Sequence, residues 1–308
     1  MNKNLLLEII KKPILIFYVM DIKGIIHLPD KIYLKLLYKY KIGKKIDFNN
    51  PRTFNEKLQW LKIYDRNPNY TKMVDKYEAK KYVAQIIGEE YIIPTIGIYD
   101  KFEDINFKEL PNKFVIKCTH DSGGLIICKD KNKLDIKKAK DKINECLKRN
   151  YFYCGREWPY KNVRPKIIIE KYMEDETKED LKDYKFFCFN DKVKIFKIDF
   201  NRFNNHQANY YDRNGEFLDF GELVCPRDKN KKIKLPENLS KMIELAEILS
   251  KNISFLRVDF YEINDKVYFG ELTFYPASGF GEFTPEEYDR ILGDWLELPK
   301  EKRVKNEK

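Results

Sequence analysis

Arg257, Asp259, Glu271 and Thr273 are the residues whose types and spacing promise the most chemistry. Phe255-Leu256-Arg257-Val258-Asp259-Phe260 and Val267-Tyr268-Phe269-Gly270-Glu271-Leu272-Thr273 read as two strands joined around Asn264-Asp265. Successive side chains of a strand point to opposite faces, so Arg257 shares a face with Asp259, and Glu271 with Thr273. If the register joins those faces, two carboxylates meet beside a cation. Like charges repel at that range unless something positive lies between them. Mg2+ suits the position, because it takes oxygen ligands from one or two carboxylates together with substrate phosphates. Arg257 is then placed to stabilise charge on a transferring phosphoryl group. A solvated hairpin with cross-strand ion pairs would leave the same pattern.

A second group of residues has types suited to a nucleotide. Lys117 ends the apolar strand Phe114-Val115-Ile116-Lys117-Cys118, five residues before Ser122-Gly123-Gly124. A lysine there can reach phosphates, and backbone N–H groups of a glycine turn can wrap them. No GxxxxGK[ST] loop occurs, and a plain hairpin turn with a solvated lysine explains the same residues. Lys76 opens a helix. Glu170-Lys171-Tyr172-Met173 closes the strand Ile167-Ile168-Ile169, where backbone groups can pair with an adenine edge and Glu170 can accept from its amino group.

The elements that must position these residues form an α+β pattern. Residues 1–48 read as short helices broken at Pro13 and Pro29. Thr53 and Glu56 form a capping-box pattern ahead of Leu58 and Leu61. Further helices are expected at Asp75–Gln85, at Asp135–Arg149 and at Asn238–Lys251, where Met242, Leu245, Ala246 and Leu249 recur at helical spacing. Leu125–Cys128, Tyr184–Phe189 and Val193–Phe200 read as strands, so the sheets are mostly antiparallel.

With 308 residues, 43% hydrophobic content, 21 Tyr and 21 Phe, the chain can bury a core of about two domains. Its net charge of +10 comes from 59 basic and 49 acidic residues that are interspersed, which excludes a basic nucleic-acid tail. The six cysteines show no CxxC pair and no zinc framework, and free thiols in the cytoplasm are expected. The apolar run Pro13–Met20 is about eight residues, where spanning needs about 20, so contact with the inner face of a membrane could only be peripheral.

The order of Lys76, Lys117 with its glycine loop, Glu170-Lys171-Tyr172-Met173 and Arg257/Asp259…Glu271/Thr273 resembles that of ATP-grasp ligases. The hairpin resembles the metal segment of D-alanine–D-alanine ligase. A closer resemblance is to the TupA-like branch of ATP-grasp proteins found in bacterial polysaccharide gene clusters. It is carried by Phe54–Trp60, Phe114–Gly124, Arg156–Tyr160, Asp183–Phe187 and Arg257–Gly281 and covers roughly residues 50–296. It implies an ATP-grasp fold, with antiparallel sheets clasping the nucleotide. The expected division is a helical segment (1–50), an N-terminal part (51–110), a lid (111–175), a catalytic part (176–298) and a charged tail (299–308). The implied cofactors are ATP and Mg2+. Lys76 and Lys117 would contact phosphates, and Ser122, Gly123 and Gly124 would form the lid, with His120 beside them. Glu170, Lys171 and Tyr172 would line the adenine site, and Asp183 would meet the ribose. Arg257 would act on the phosphoryl group and Asp259 and Glu271 would hold Mg2+. Thr273 stands where the wider superfamily has Asn, which leaves a weaker third ligand.

The chemistry this resemblance implies is phosphorylation of a carboxylate to an acylphosphate, then attack by an amine. The expected substrates are an amino acid and a carboxylate-bearing sugar, such as a uronic acid of a capsular or O-antigen polysaccharide. Arg202 and Arg156 are candidates for an anionic substrate, and His120 and His206 for proton transfer. A glycosyltransferase, a nucleotide-binding protein without catalysis and a basic nucleic-acid module are the competing readings. The first lacks a DxD motif on a Rossmann-like strand, and the third lacks a basic stripe with stacking aromatics.

Overall fold

Two antiparallel sheets carry the charged residues singled out above. The computed structural model describes residues 15–22, 25–176, 181–201 and 206–300. Arg202, Pro13 and residues 301–308 of the charged tail lie outside these. The smaller sheet has the order β1-β4-β2-β3, from β1 (Thr95–Tyr99), β2 (Phe114–Cys118), β3 (Leu125–Cys128) and β4 (Ile167–Lys171). The larger has the order β11-β10-β5-β6-β7-β8, from β5 (Asp183–Phe189), β6 (Lys192–Phe200), β7 (Gln207–Asp212), β8 (Phe217–Leu218), β10 (Phe255–Ile263) and β11 (Lys266–Thr273). The short strands β9 (Gly221–Glu222) and β12 (Phe283–Thr284) pair separately. The small sheet takes β1 from before residue 110, so it begins earlier in the chain than the lid segment drawn from the sequence.

Alternation explains the layering of the large sheet. Leu256, Val258 and Phe260 of β10 share a face and are buried, as are Phe186 and Cys188 of β5 and Phe196 and Ile198 of β6. Helix α8 (Leu239–Leu249) covers that face with Met242, Leu245, Ala246 and Leu249, all buried. Burying each such side chain contributes on the order of 2 kcal/mol. The opposite face carries Arg257 and Asp259, Lys185 and Asp183, and Lys197 and Asp199. Its far end is closed by aromatic contacts, with Phe54 4.9 Å from Phe255.

Five of the described helices precede the sheets and frame them. They are α1 (Leu15–Ile22), α2 (Asp30–Ile42), α3 (Phe54–Tyr64), α4 (Asn69–Val74) and α5 (Lys76–Ile87). At α3 the capping box forms as the sequence predicts: the Glu56 N–H donates to Thr53 Oγ1 at 3.3 Å, and the Thr53 N–H donates to Glu56 Oε2 at 3.1 Å. Asp75 caps α5 by accepting from the Tyr77 and Glu78 N–H groups at 2.8 and 3.0 Å. Helix α6 (Ile136–Leu147) packs on the small sheet and closes a second core around Ile116, Ile143 and Ile169. Among the described residues, no helix is long and apolar enough to cross a membrane.

Arg156 is not an anion site. It follows α7 (Phe152–Gly155), is buried, pairs with Asp21 of α1, and has Nε 3.0 Å from Asp30 Oδ1 of α2. Its guanidinium lies 4.0 Å from the Tyr33 ring centroid. With its charge neutralised by two carboxylates, Arg156 clamps the N-terminal helices.

Candidate active site

The register of β10 and β11 decides the central question. Asp259 stands opposite Glu271 and Arg257 opposite Thr273. Gly270 is an extra residue on β11, since Asp259 pairs with Glu271 and Phe260 with Phe269. A methyl group at Gly270 would lie 3.0 Å from the Asp259 carbonyl oxygen. This bulge turns Glu271 and Thr273 to the face of Arg257 and Asp259.

Arg257 donates from Nε to Asp259 Oδ1 and from Nη2 to Asp259 Oδ2, both at 2.7 Å. Nη2 also reaches Glu271 Oε1 at 2.7 Å and Thr273 Oγ1 at 3.0 Å. Lys185 Nζ lies 3.0 Å from Asp259 Oδ2 and also pairs with Asp183. Burial by itself would raise the Asp259 carboxyl, but Arg257 and Lys185 outweigh it and bring it down to about 2. Burial opposes the charge of Lys185 too, and the surrounding Asp183 and Asp259 hold it above its ordinary value. The set Asp259, Glu271 and Thr273 is all oxygen, with two carboxylates on adjacent strands, and fits Mg2+. Arg257 now bridges those carboxylates, so a bound cation and this guanidinium share the same lone pairs.

Across the cleft, the small sheet presents lysines. Lys117 Nζ lies 2.6 Å from Glu170 Oε2, and Lys80 of α5 pairs with Glu170 Oε1. Burial favours the neutral Glu170, yet the two ammonium groups hold its carboxyl down at about 2. Glu170 therefore positions Lys117, and its oxygens are already taken by cations. Lys76 donates from Nζ to the Asp121 carbonyl at 2.5 Å and from its backbone to the Thr119 carbonyl at 3.0 Å. Burial lowers the Lys76 ammonium and Lys117 adds to the fall, while Glu271, Asp121 and Glu170 pull it up. Lys76 thus feels charges on both sheets at once.

The glycine loop is anchored at one end. Asp121 accepts from the Gly123 N–H at 2.9 Å and from Arg149 Nη2 at 2.7 Å. Ser122 and Gly123 are exposed, and Gly124 is packed so closely that a methyl group there would sit 2.6 Å from Cys118 Sγ. His120 turns inward: its Nε2 lies 3.1 Å from the Cys146 carbonyl, and burial lowers its proton affinity. It packs the loop against α6 and does not face the cleft. Lys171, Tyr172, Met173 and Glu174 line a cleft of about 190 Å³ together with Ile263, Asn264, Lys266 and Tyr268 of the β10–β11 hairpin. Asp183 is buried on the large sheet and paired with Lys185, so it belongs to the network around Asp259.

Lys80, Lys185 and Lys62 are the charged residues the sequence reading missed. Lys80 follows Lys76 by four residues, on the same helix face, and that spacing was a usable signal. Lys185 follows Asp183 at the two-residue interval of Arg257 and Asp259. Lys62 is fully buried and donates to the carbonyls of Gly155 and Ser278 at 2.7 and 2.8 Å. Burial pushes its ammonium down to about 7. It holds the loop after Thr273, in which Ala277 and Ser278 adopt φ of 47° and 52°, and nothing in the local sequence announces that contact.

Residues 56–297 match the family profile described as TupA-like ATPgrasp. No curated protein matches the chain. Among solved structures, it is similar to D-alanine–D-alanine ligase from Helicobacter pylori, at 16% identity and a TM-score of 0.42, over 79% of this chain and 69% of that one. It is similar to the Bacillus anthracis D-alanine–D-alanine ligase complexed with ATP, at 18% identity and a TM-score of 0.40, over 73% and 63%. It is also similar to a RimK domain ATP-grasp protein from Sphaerobacter thermophilus, at 11% identity and a TM-score of 0.40, over 76% and 70%.

Proposed function

Because the chain belongs to the TupA-like ATP-grasp family, we propose that it is an ATP-dependent carboxylate–amine ligase that attaches an amino acid to a uronic acid or related carboxylate of a surface polysaccharide. ATP and Mg2+ are the cofactors of an ATP-grasp enzyme. The observation that carries the reading is the convergence at Lys76. Its Nζ donates to the Asp121 carbonyl in the loop after β2, while α5, which it opens, packs against β11, and this supports a cleft fronted by Lys76, Lys117 and Glu271.

Each group then has a physical task. Lys117 and Lys76 neutralise phosphate charge, and Glu170 holds Lys117 in place. Lys171, Tyr172 and Met173 line the space for the base. Asp259, Glu271 and Thr273 would hold Mg2+, which when bound screens the phosphate oxygens as charge develops. Arg257 places a guanidinium beside the transferring phosphoryl group, where preorganised positive charge acts most strongly. The exposed Ser122 and Gly123 cover the phosphates and limit hydrolysis of the acylphosphate. Arg202, outside the described residues, stays a candidate for the anionic substrate.

The test is ADP release from Mg-ATP across a panel of uronic acids and amino acids, with mass spectrometry of the products. Carboxylate-dependent ADP and an amide product are expected. ATP left intact with every carboxylate, alongside consumption of a sugar nucleotide, would overturn the reading in favour of a glycosyltransferase.

A further inference from the structure

We propose that His206, oriented by Asp199, is the catalytic base that accepts the proton of the attacking amine; the proposal rests on the ligase reading above. The amine substrate arrives as an ammonium and must lose protons before and during attack, and the residues around Asp259 cannot take one. Arg257 and Lys185 are cations, and Asp259 already accepts three hydrogen bonds from them. A separate acceptor on the same face is therefore required.

Strand parity supplies it. Asp199 of β6 pairs with Asp183 of β5 and with Ala208 of β7. His206 precedes Ala208 by two residues, so it projects to the face that carries Asp199, Lys185 and Asp259. Lys185 Nζ lies 3.0 Å from Asp259 Oδ2 and 3.7 Å from Asp199 Oδ2, and His206 Nε2 lies 3.4 Å beyond, which keeps His206 within about 10 Å of Asp259. That is the span of an acylphosphate and the nucleophile approaching its carbonyl carbon.

Accessibility selects His206 from this row. The side chains of Asp199, Lys185 and Lys197 are 3%, 8% and 8% exposed, and that of His206 is 39% exposed. His206 Nε2 lies 3.4 Å from Asp199 Oδ2, within ion-pair range though not aligned as a hydrogen bond. The buried carboxylate faces Nε2, which leaves Nδ1 as the atom that acts as the base, and a carboxylate beside a histidine orients the ring for proton transfer. Cys225 Sγ lies in the same cluster, within 4.8 Å of the Asp199 and His206 ligand atoms. A divalent metal there is disfavoured by Lys197 and Lys185, whose Nζ atoms lie 3.6 and 3.7 Å from Asp199 oxygens. Burial also pushes the Cys225 thiol up to about 11, so it stays protonated.

The proton balance is complete. The ammonium gives one proton to His206 Nδ1, which passes it on to water, and attacks as the neutral amine. The C–N bond forms, and the bond from the acyl carbon to the phosphate oxygen breaks with its electron pair on phosphate. The nitrogen gives its second proton to the departing phosphate. The third proton remains on the amide.

The test compares two nucleophiles, the amino acid and hydroxylamine, with the uronic acid found in the panel. Hydroxylamine is neutral near pH 7 and captures the acylphosphate as a hydroxamate without needing a base to uncover its lone pair. His206→Ala and His206→Gln are expected to lower kcat for amide formation about 100-fold or more, with hydroxamate formation within about threefold of the unsubstituted protein. Asp199→Asn is expected to lose amide formation selectively as well. An equal loss in both assays would show a structural role and overturn the proposal, as would unchanged amide formation or stoichiometric zinc retained through Cys225. Absence of ADP and hydroxamate with the unsubstituted protein would instead overturn the ligase reading itself.

Discussion

Asp259 and Glu271 stand opposite each other in the same register, yet their surroundings assign them different sensitivities to substitution. Asp259 is buried between Arg257 and Lys185, and the Glu271 side chain is 48% exposed. Glu271→Gln is therefore expected to cut ATP turnover at least 100-fold with urea unfolding unchanged. Asp259→Asn should lose turnover and also about 3–5 kcal/mol of stability, because two buried cations then lose the carboxylate that lies between them. A Glu271→Gln protein that still turns over ATP would remove that residue from the site. Glu170 supports a prediction about pH. Its folded value of about 2 lies below the ordinary 4.5, so its contribution is fully present above about pH 4.5 and is lost as pH falls toward 2. That contribution is roughly 3 kcal/mol. Urea midpoints measured from pH 5 to pH 2.5 should fall more steeply in the unsubstituted protein than in Glu170→Gln, and parallel curves would contradict the assignment. At this scale the sequence was legible where two charged residues alternate in an apolar strand. It was opaque where one polar side chain, such as Lys62, is buried by segments more than 90 residues away.

The hairpin β10–β11 shows what alternation reveals and what it hides. Arg257, Asp259, Glu271 and Thr273 announce two faces, and the turn at Asn264-Asp265 announces a pair of strands. Whether those faces coincide depends on one inserted residue. Gly270 supplies it because its lack of a side chain permits the close approach to the Asp259 carbonyl. Gly270→Val should shift Glu271 out of line with Asp259 and lower Mg-dependent ATP turnover at least tenfold, with the sheet still formed by circular dichroism. Full activity in that variant would show that the bulge is not what aligns the carboxylates. The contact of β5 with β10 was not legible, because strands more than 60 residues apart leave no local mark of their pairing. The roles of Asp183 and Lys185 depend on that contact. So does the inward turn of His120, which is set by α6 packing over the glycine loop.

The two sheets have separate cores, and charge meets between them at Lys76, half-buried at the N-terminus of α5. Its backbone N–H and Nζ both hold the loop after β2, while its charge is felt by Glu271 on the far sheet. A nucleotide bound in this cleft touches both sheets and therefore stabilises the folded chain by mass action, about 2.7 kcal/mol at 100 times its Kd. Mg-ADP, but not Mg2+ alone, should raise the Tm by several degrees. Lys76→Ala should keep a Tm close to that of the unsubstituted protein in the absence of ligand, since the lysine's burial opposes its charge. The same variant should lose most of the Mg-ADP shift, because the phosphates then face the cleft with Lys117 alone. Differential scanning fluorimetry of both proteins over a range of Mg-ADP concentrations separates the two effects. An undiminished shift in Lys76→Ala would mean that the nucleotide does not lie between the sheets at this point, and the convergence of charges at Lys76 would have to be explained as packing alone.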